Sequence, residues 1–181
     1  MAKNIRSEVD HSARLVNDLL TLARFDAEHL PADCIRFDIA QMCQELAEQF
    51  SLLAKEKSLT LTCQLPELLY VMSDEERARQ AIAILLDNAI KHSLGDDAQI
   101  SLRAKRKKDT VEIVVQNTHP TIPEGKLSQL FERFYQADAS HANKGTGLGL
   151  AIAHKIAHHM KWQLQVASAN NTVAFTLTIP R

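Results

Sequence analysis

The chain has 181 residues, of which 45% are hydrophobic, and a formal net charge of −1. This is enough apolar material for one ordinary domain and a small appendage, and the near-zero charge argues against a nucleic-acid binder. The three cysteines (Cys34, Cys43 and Cys63) form no Cys-x-x-Cys pair, which favours reduced thiols in a cytoplasmic protein over a disulfide framework. No apolar stretch approaches the roughly 20 residues that span a bilayer, and no signal-peptide pattern is present.

The first predicted element is a long amphipathic helix from Ile5 to about Glu28, a stretch without Gly or Pro. Its seam positions recur in alternating steps of four and three, which is typical of a coiled coil or helix bundle. This seam consists of Ile5, Val9, Ser12, Val16, Leu19 and Ala23. Neighbouring leucines and Phe25 widen the apolar face, and no other helix of the chain is obviously free to cover it, so we infer self-association or a partner segment upstream. The tripeptide at 29–31 breaks the helix and separates a segment 1–30 from a domain 31–181.

Beyond this break, predicted strands and helices alternate. The predicted strands lie at about 34–39, 59–65, 69–72, 99–105, 111–116, 162–167 and 172–179, the last two joined by a turn at Asn170-Asn171. The predicted helices lie at about 38–57, capped by Asp38 with Gln41, at 74–92, opened by a capping box at 73–76, and after the glycine run near 149. Residues 117–144 are expected to be rich in loops. Helices on one side of a mixed, mostly antiparallel sheet give an α/β two-layer sandwich as the expected fold class.

Three of the five glycines lie in one heptapeptide, 144–150, directly before an amphipathic helix. Glycine lets the backbone adopt a positive φ and lets a ligand approach the main chain closely. A glycine run that opens a helix also offers unpaired N–H groups and the positive end of the helix dipole, which suits phosphate. The alternative interpretation is a plain flexible loop before a helix.

A second chemical cluster lies on the predicted helix 74–92. Asn88, Lys91 and His92 lie at the edge of its apolar stripe, within one turn of each other. An amide, an ammonium and an imidazole grouped there can hold a divalent cation and phosphate oxygens. The alternative is a solvated last turn in which Lys91 and His92 are favoured by the helix dipole. That alternative does not account for an Asn placed against a run of Ile and Leu.

Three segments resemble the sequence boxes of sensor histidine kinases, in matching order and spacing. Residues 85–93 (LLDNAIKHS) resemble the N box, residues 130–138 (LFERFYQAD) the F box, and residues 145–152 (GTGLGLAI) the G2 box. The first helix, with LLTLARFD at 19–26, is similar to the second helix of the dimerisation and phosphotransfer hairpin of that family. The resemblance covers essentially the whole chain. It implies a Bergerat-type ATP-binding fold shared with gyrase, Hsp90 and MutL.

The resemblance also implies the ligands and the residues that hold them. The expected cofactors are ATP and Mg²⁺, with Asn88 as the metal ligand and with Lys91 and His92 near the phosphates. The full set of expected ATP-binding residues is Asn88, Lys91, His92, Asn117, Ile122, Arg133, Phe134, Gly145, Thr146, Gly147, Leu148, Gly149 and Leu150. The expected partners are the receiver domain of a response regulator and a second copy of the parent protein, paired through the dimerisation helices. No nucleic acid is expected, and a membrane only through segments upstream of this chain.

This sequence departs from the family pattern in the segment that contacts adenine. The family carries Asp-x-Gly-x-Gly before Ile-Pro, whereas residues 117–123 here read NTHPTIP. Asn117 can still accept a hydrogen bond from the adenine amine through its amide oxygen. It lacks the charge, so we expect a loss of roughly 1 kcal/mol, or about fivefold in affinity. His119 and Thr121, which replace the glycines, are expected to stiffen the loop and crowd the adenine entrance. A further departure is Ile84, where many relatives have an additional Asn, and it removes one possible metal ligand.

The family's phosphate acceptor is a histidine on the first helix of the hairpin, followed closely by an acidic residue. His11 lacks that acidic neighbour and is not expected to be the acceptor. We therefore interpret the chain as a cytoplasmic fragment of a membrane-bound sensor kinase that binds nucleotide but does not phosphorylate itself. One alternative function is a nucleotide-independent interaction module that regulates a partner. Another is an ATP-driven clamp of the gyrase or Hsp90 kind, which Ile84 disfavours because those proteins need a glutamate there.

Several other side chains allow two interpretations. His154 and His158 have a spacing that can bind zinc, but surface histidines are the simpler explanation. His141, in a predicted lid at 136–144, either approaches a nucleotide or faces water. Phe131 and Phe134 are either a docking hinge for that lid or ordinary core aromatics. Arg133 is placed within reach of phosphate or of the partner helix.

Overall fold

The computed structural model describes residues 2–26, 31–95, 97–135 and 146–181. The helices are α1 (Ala2–Asp26), α2 (Ile39–Glu56), α3 (Glu75–His92), α4 (Glu124–Leu127) and α5 (Gly149–His159), with a short 3-10 helix at Ser128–Phe131. The strands are β1 (Cys34–Asp38), β2 (Thr60–Gln64), β3 (Tyr70–Asp74), β4 (Gln99–Arg106), β5 (Thr110–Thr118), β6 (Gln163–Ala169) and β7 (Thr172–Pro180). Among the described residues, no helix is both long enough and apolar enough to cross a membrane.

The main sheet has five strands in the order β2-β4-β5-β7-β6. The β2–β4 pair is parallel and the other pairs are antiparallel, so the sheet is mixed and mostly antiparallel. Buried residues alternate with half-buried or exposed residues along β5 and β7, which is the pattern of a sheet with one face covered by helices. The expected two-layer α/β sandwich is confirmed. β1 and β3 form a separate antiparallel pair beside it.

The helical layer is centred on α3, which packs against α2, α5 and β5. Aspartates cap two of its helices: Asp38 caps α2 as the sequence predicts, whereas Asp74 caps α3 in place of the capping box predicted at 73–76. Asp38 accepts hydrogen bonds from the backbone N–H of Ala40 at 3.0 Å and of Leu69 at 3.0 Å. Asp74 accepts from the N–H of Arg77 at 2.9 Å and so fixes the start of α3. The expected capping role of Gln41 is not the one observed, because its amide donates to Glu45 one turn further along α2.

The predicted loop-rich stretch 117–144 contains more regular structure than expected. β5 continues to Thr118, because Asn117 and Thr118 pair with Val173 and Thr172 of β7. Pro123 then occupies the cap position of the single-turn helix α4, and the 3-10 helix follows directly. The predicted turn between the last two strands is confirmed. Asn170 and Asn171 both have a positive φ, of 51° and 56°.

The N-terminal helix has a partner within the chain, contrary to the expectation that no helix was free for it. α1 packs on α5 and buries Leu22 and Phe25, which are 1% and 5% exposed. The ring of Phe25 meets the ring of His159 edge-on at 5.7 Å, and the Arg77 guanidinium lies 4.9 Å from its centroid. The seam residues Val9, Val16 and Leu19 remain exposed, by 60%, 53% and 40%. The apolar surface of α1 is therefore wider than α5 alone covers.

Candidate functional site

A cavity of about 570 Å³ opens between α3, the sheet and the start of α5, and α1 borders it. One part of its wall is apolar: Ile84, Ile122, Leu130, Ile152, Val173 and Phe175. The other part carries polar side chains: Arg14, Asp18, Asp87, Asn88, Lys91, His92, Asn117, His119 and Thr146. Two kinds of surface in one concave site suit a ligand with an apolar body and a charged group.

The expected cluster on α3 lies together at this cavity. Asn88, Lys91 and His92 all line it, and so does Asp87, which the sequence analysis did not single out. The Lys91 ammonium donates a hydrogen bond to the Asp87 carboxylate one turn earlier, and the lysine side chain is only 27% exposed. A wholly solvated last turn therefore does not describe Lys91. The spacing of four between an acid and a lysine is the signal by which this pair could have been predicted.

The donor set on α3 fits a hard cation that keeps part of its own hydration. Asn88 and Asp87 offer oxygen atoms, which are the ligands Mg²⁺ takes, usually one or two from the protein with the rest from phosphates and water. Within the described part of the chain, no group of three or more His, Cys, Asp or Glu side chains is arranged to hold a metal ion. The α3 residues are therefore suited to a cation that arrives with a phosphate ligand.

Asn117 is the buried polar residue of the cavity wall. It occupies the last buried position of β5, after Val111, Ile113 and Val115 on the same face, and is 2% exposed. Its amide nitrogen donates to the carbonyl oxygen of Thr118 at 3.3 Å. A buried amide in an apolar row is costly unless it is hydrogen-bonded. Its placement therefore points to a specific polar contact.

The segment after Asn117 is anchored to the turn between β6 and β7. The N–H of His119 donates to the carbonyl of Asn171 at 3.0 Å, and the N–H of Asn171 donates to Thr121 Oγ1 at 3.2 Å. The N–H of Ile122 donates to Ser168 Oγ at 2.8 Å. His119 and Ile122 line the cavity. These bonds fix the segment against the turn between β6 and β7 and the end of β6.

The glycine segment contributes the start of α5. Thr146, Gly147, Gly149 and Leu150 line the cavity, and Gly147 has a φ of +68°. Leu148 is fully buried in the core and lies at the cap position of α5, where its side chain offers no hydrogen bond. The positive end of α5 is thus turned towards the cavity without a capping side chain. The expected site residue Gly145, with the predicted lid at 136–144 and His141 in it, lies outside the described residues.

Two expected nucleotide-binding residues of the F box lie outside the cavity wall. The Arg133 guanidinium donates to Asp26 of α1 at 2.6 Å, a contact within the chain that the sequence did not predict. Phe134 is 58% exposed. Phe131 behaves as a core aromatic, because it stacks on the ring of His154 at 5.0 Å and meets Phe175 edge-on at 6.2 Å. The expected roles of Arg133 and Phe134 in nucleotide binding stay predictions.

The site also includes α1, which sequence reasoning missed. Arg14 and Asp18 line the cavity from this helix, one turn apart. The hydroxyl of Thr146 donates to the Asp18 carboxylate at 2.8 Å and accepts from the N–H of Leu148 at 3.3 Å. Asp26, the last residue of α1, also accepts from Lys155 of α5 at 2.8 Å. Hydrogen bonds from Lys155 and Arg133 lower the pKa of Asp26 below its usual value.

Of the three histidines in α5, His154 and His159 contact aromatic rings, those of Phe131 and Phe25 respectively. Partial desolvation lowers the pKa of His154, and the neighbouring His158 and Lys155 lower it further. The neutral ring that this favours stacks on Phe131. His154 and His158 are both exposed in the described structure. The side chain of His11 lies outside the described residues.

The family model for histidine kinase-, DNA gyrase B- and HSP90-like ATPases matches residues 73–181. The chain therefore belongs to this ATPase family, and its fold and relatives identify it with the ATP-binding catalytic domain of sensor histidine kinases.

Among curated proteins, the chain is similar to the sensor protein DltS of Streptococcus agalactiae serotype V, at 30% identity over 98% of this chain and 45% of DltS. It spans less than half the length of the curated relatives it matches. Among solved structures, full-length ShkA in complex with AMPPNP has a TM-score of 0.85 at 28% identity, over 98% of this chain and 37% of ShkA. The histidine kinase ThkA in complex with the response regulator TrrA shares the fold, with a TM-score of 0.76 at 22% identity over 97% of this chain and 49% of ThkA.

Proposed function

We propose that the cavity binds ATP with Mg²⁺ and presents the γ-phosphoryl group for transfer to a histidine of the parent kinase. The observation that carries this proposal is that three kinds of surface border the same cavity. The Asn88–Lys91 turn of α3 offers a metal ligand and a positive charge, and the start of α5 offers backbone N–H groups for phosphate. The remaining wall is apolar and carries the buried Asn117, which suits a base.

The apolar part of the wall is suited to the purine ring. Ile84, Ile122 and Phe175 can cover its faces, and the burial of apolar surface favours binding by roughly 25 cal/mol per Å². Asn117 supplies the polar contact to the edge of the ring. Because its amide nitrogen donates to Thr118, its oxygen remains the acceptor for the adenine amine.

The polar part is suited to the phosphates. The N-terminus of α5 offers backbone N–H groups and a partial positive charge, and Gly147 and Gly149 let an oxygen approach the main chain. Lys91 supplies a full positive charge beside them, held by Asp87. Asn88 would hold Mg²⁺ through its amide oxygen, and the ion supplies charge neutralisation on the phosphate oxygens.

Little covalent work remains for this domain. In phosphoryl transfer, catalysis comes mainly from two effects: the attacking and leaving oxygens are positioned in line, and the charge on the transferred phosphoryl group is neutralised. The acceptor histidine and its acidic neighbour are proposed to come from the parent's dimerisation hairpin, with segment 1–30 as the second helix of that hairpin. Ile84 places an aliphatic side chain where a clamp-type ATPase needs a water-activating glutamate, so steady ATP hydrolysis is expected to be negligible.

We further propose that the phosphoryl group passes to an aspartate of a response regulator and that the parent is a membrane-bound homodimeric sensor. The chain shares its fold with the histidine kinase ThkA, which has been solved in complex with the response regulator TrrA. The exposed seam of Val9, Val16 and Leu19 is compatible with a second helix pair.

Calorimetry with Mg²⁺ and a non-hydrolysable ATP analogue tests the nucleotide site. We expect binding by the chain, at least tenfold weaker binding by Asn88→Ala, and unchanged binding by Asn17→Ala, the same substitution on the exposed surface of α1. No heat up to millimolar nucleotide would favour the nucleotide-independent interaction module instead.

Incubation with labelled ATP is expected to give no acid-labile phosphoprotein, and labelling of this chain alone would refute the placement of the acceptor elsewhere.

A further inference from the structure

We propose that Arg14 of α1 contacts the terminal phosphate of the bound nucleotide and so gives the cavity a preference for triphosphates over diphosphates. The inference rests on the nucleotide site proposed above. Arg14 lines the cavity together with Asp18, which lies one turn further along the same helix. The family model matches residues 73–181, so α1 lies outside the matched part of the chain. A nucleotide contact from this helix is therefore an addition to the site that the family motifs define.

Two contacts fix α1 along α5. The hydroxyl of Thr146 donates to the Asp18 carboxylate at 2.8 Å, just before the start of α5. Further along both helices, the Lys155 ammonium donates to Asp26 at 2.8 Å. The contacts advance in the same order on both helices, so α1 and α5 run in the same direction. The position of each turn of α1 relative to the start of α5 is thereby set.

Arg14 lies beyond the N-terminus of α5 in this arrangement. Asp18 contacts Thr146, which precedes the first residue of α5, Gly149. Arg14 is one turn further in the same direction, about 6 Å along the axis of α1. The first backbone N–H groups of a helix point out of its N-terminal end. A phosphate bound by those N–H groups of α5 would therefore lie on the same side as Arg14.

The charges on the cavity wall favour a role for this arginine. Among the described residues of the wall, and with histidine counted as neutral, Arg14 and Lys91 are the cations and Asp18 and Asp87 the anions. Lys91 is already paired with Asp87. Without Arg14 the wall would carry a net negative charge, which opposes a polyphosphate. Arg14 therefore offsets the charge of Asp18 at the phosphate end of the cavity.

An arginine suits this task because its planar guanidinium can donate two hydrogen bonds to one phosphate group. Arg14 is exposed and already has an interaction of its own, so a phosphate would replace one contact with another. The expected gain in affinity is therefore modest, about three- to tenfold, between that of a surface ion pair and that of a fully formed charged hydrogen bond. Because ADP lacks the terminal phosphate, it would not receive this contact.

The contact would also couple α1 to the state of the nucleotide. A ligand that binds more tightly when α1 lies on α5 must, by reciprocity, hold α1 there more firmly. A triphosphate would do so to a greater extent than a diphosphate. Loss of the γ-phosphoryl group would thereby loosen the helix that is proposed to belong to the parent's hairpin.

Calorimetry with Mg²⁺ compares a non-hydrolysable ATP analogue with ADP on the unmodified chain and on Arg14→Ala. We expect the substitution to weaken the ATP analogue about three- to tenfold and ADP by less than about twofold, so that the ratio of the two affinities falls. Arg14→Lys should keep part of the preference, since it keeps the charge but not the fork of donors. Arg24→Ala is the matched control, because it removes the same charge from an exposed position of α1 outside the cavity wall and should leave the ratio unchanged.

Hydrogen exchange followed by mass spectrometry gives a second readout, which a merely structural role of Arg14 would not move. The ATP analogue is expected to slow amide exchange in α1 more than ADP does, and Arg14→Ala should remove that difference. Equal protection of α1 by the two nucleotides in the unmodified chain would overturn the role of Arg14, as would equal weakening of both nucleotides by Arg14→Ala or no weakening of either. These outcomes leave the nucleotide site standing. Binding of neither nucleotide by the unmodified chain would overturn the nucleotide site itself.

Discussion

The N–H of Phe134 donates a hydrogen bond to the carbonyl of Gly147 at 3.0 Å, and both residues have a left-handed backbone, with φ of +63° and +68°. A Cβ placed on Gly147 would lie 3.0 Å from two backbone atoms of Phe134 and 3.3 Å from the carbonyl oxygen of Tyr135. The middle of the F box and the start of the G2 box are thus in direct backbone contact. Because Gly147 and Tyr135 also line the cavity, this contact determines one part of its wall.

Gly147→Ala is expected to destabilise the fold and weaken nucleotide binding. A side chain at a positive φ is strained, and here the new methyl group meets backbone that cannot rotate away, so we expect a loss of about 1–3 kcal/mol in the free energy of unfolding. Urea unfolding measures that loss, and calorimetry with the ATP analogue measures the binding. Gly125→Ala is the matched control, because a Cβ there has nothing within 4 Å and lies in the helical turn α4. Equal stabilities of the two variants would contradict the close contact.

Asp18→Asn is expected to raise the affinity for nucleotide. The carboxylate borders the cavity and accepts the hydrogen bond of Thr146, so its charge opposes a polyphosphate in the same cavity. An amide keeps the acceptor oxygen and removes the charge. The expected gain is about two- to fivefold at low salt, equivalent to roughly 0.5–1 kcal/mol, and it should shrink as salt screens the charge. Calorimetry at two salt concentrations checks this.

Asp109→Asn, in the turn after β4, removes the same charge far from the cavity and serves as the control for Asp18→Asn. An equal gain from both substitutions would mean that only net charge matters. No gain from Asp18→Asn would mean that α1 moves away before nucleotide binds.

Local patterns predicted the helices and strands, because each depends on residues near in sequence. The aspartate cap at 38 and the asparagine turn at 170–171 are recognised by short-range chemistry. The capping box predicted at 73–76 lies one residue early, because Asp74 is the residue that caps α3. The predicted end of β5 was two residues early, since residues 117–120 (NTHP) have the composition of a turn. What extends the strand is pairing with β7, more than fifty residues away, and this pairing is also what buries Asn117.

The sequence motifs predicted that the α3 and glycine clusters belong to one site, and both clusters line the cavity. The motifs did not predict that α1 also contributes to its wall. Asp18 and Thr146 are 128 positions apart, and no periodicity connects them. The helical seam predicted a partner for α1 without indicating that α5 covers part of its surface. Leu148 was expected among the nucleotide contacts because it lies in the glycine motif, whereas the structure buries it fully in the core. Family motifs thus identified the region, and packing decided which side chains face the cavity.

Asp26→Asn is expected to loosen the end of α1 from α5. The carboxylate accepts hydrogen bonds from Lys155 and Arg133, and these bonds lower its pKa from the usual 3.8. A lowered carboxyl pKa means that the contact is fully present above pH 3.8 and is lost as the pH falls through the lower folded value. At neutral pH the variant should therefore show faster amide exchange in the last turns of α1 than the unmodified chain does.

Hydrogen exchange followed by mass spectrometry measures this loosening, with Asp109→Asn as the charge-matched control. Unchanged exchange in α1 of Asp26→Asn would show that Leu22 and Phe25 hold the helix without the ion pairs. Faster exchange in both variants would point to a general effect of charge.

The pKa of His154 is expected to lie below the usual 6.5 in the folded chain, because the ring is partly desolvated and lies near His158 and Lys155. The unfolded chain then binds a proton on His154 at a higher pH than the folded chain. The contribution of this histidine to the free energy of unfolding is therefore fully present above pH 6.5 and is lost as the pH falls through the lower pKa of the folded chain. NMR titration of the imidazole measures the midpoint directly. Phe131→Ala removes the stacked ring at 5.0 Å and should raise the midpoint towards 6.5. His154→Phe keeps an aromatic ring on Phe131 but cannot take up a proton, so its stability should fall less between neutral and mildly acidic pH. A midpoint at or above 6.5 in the unmodified chain would rule out this contribution.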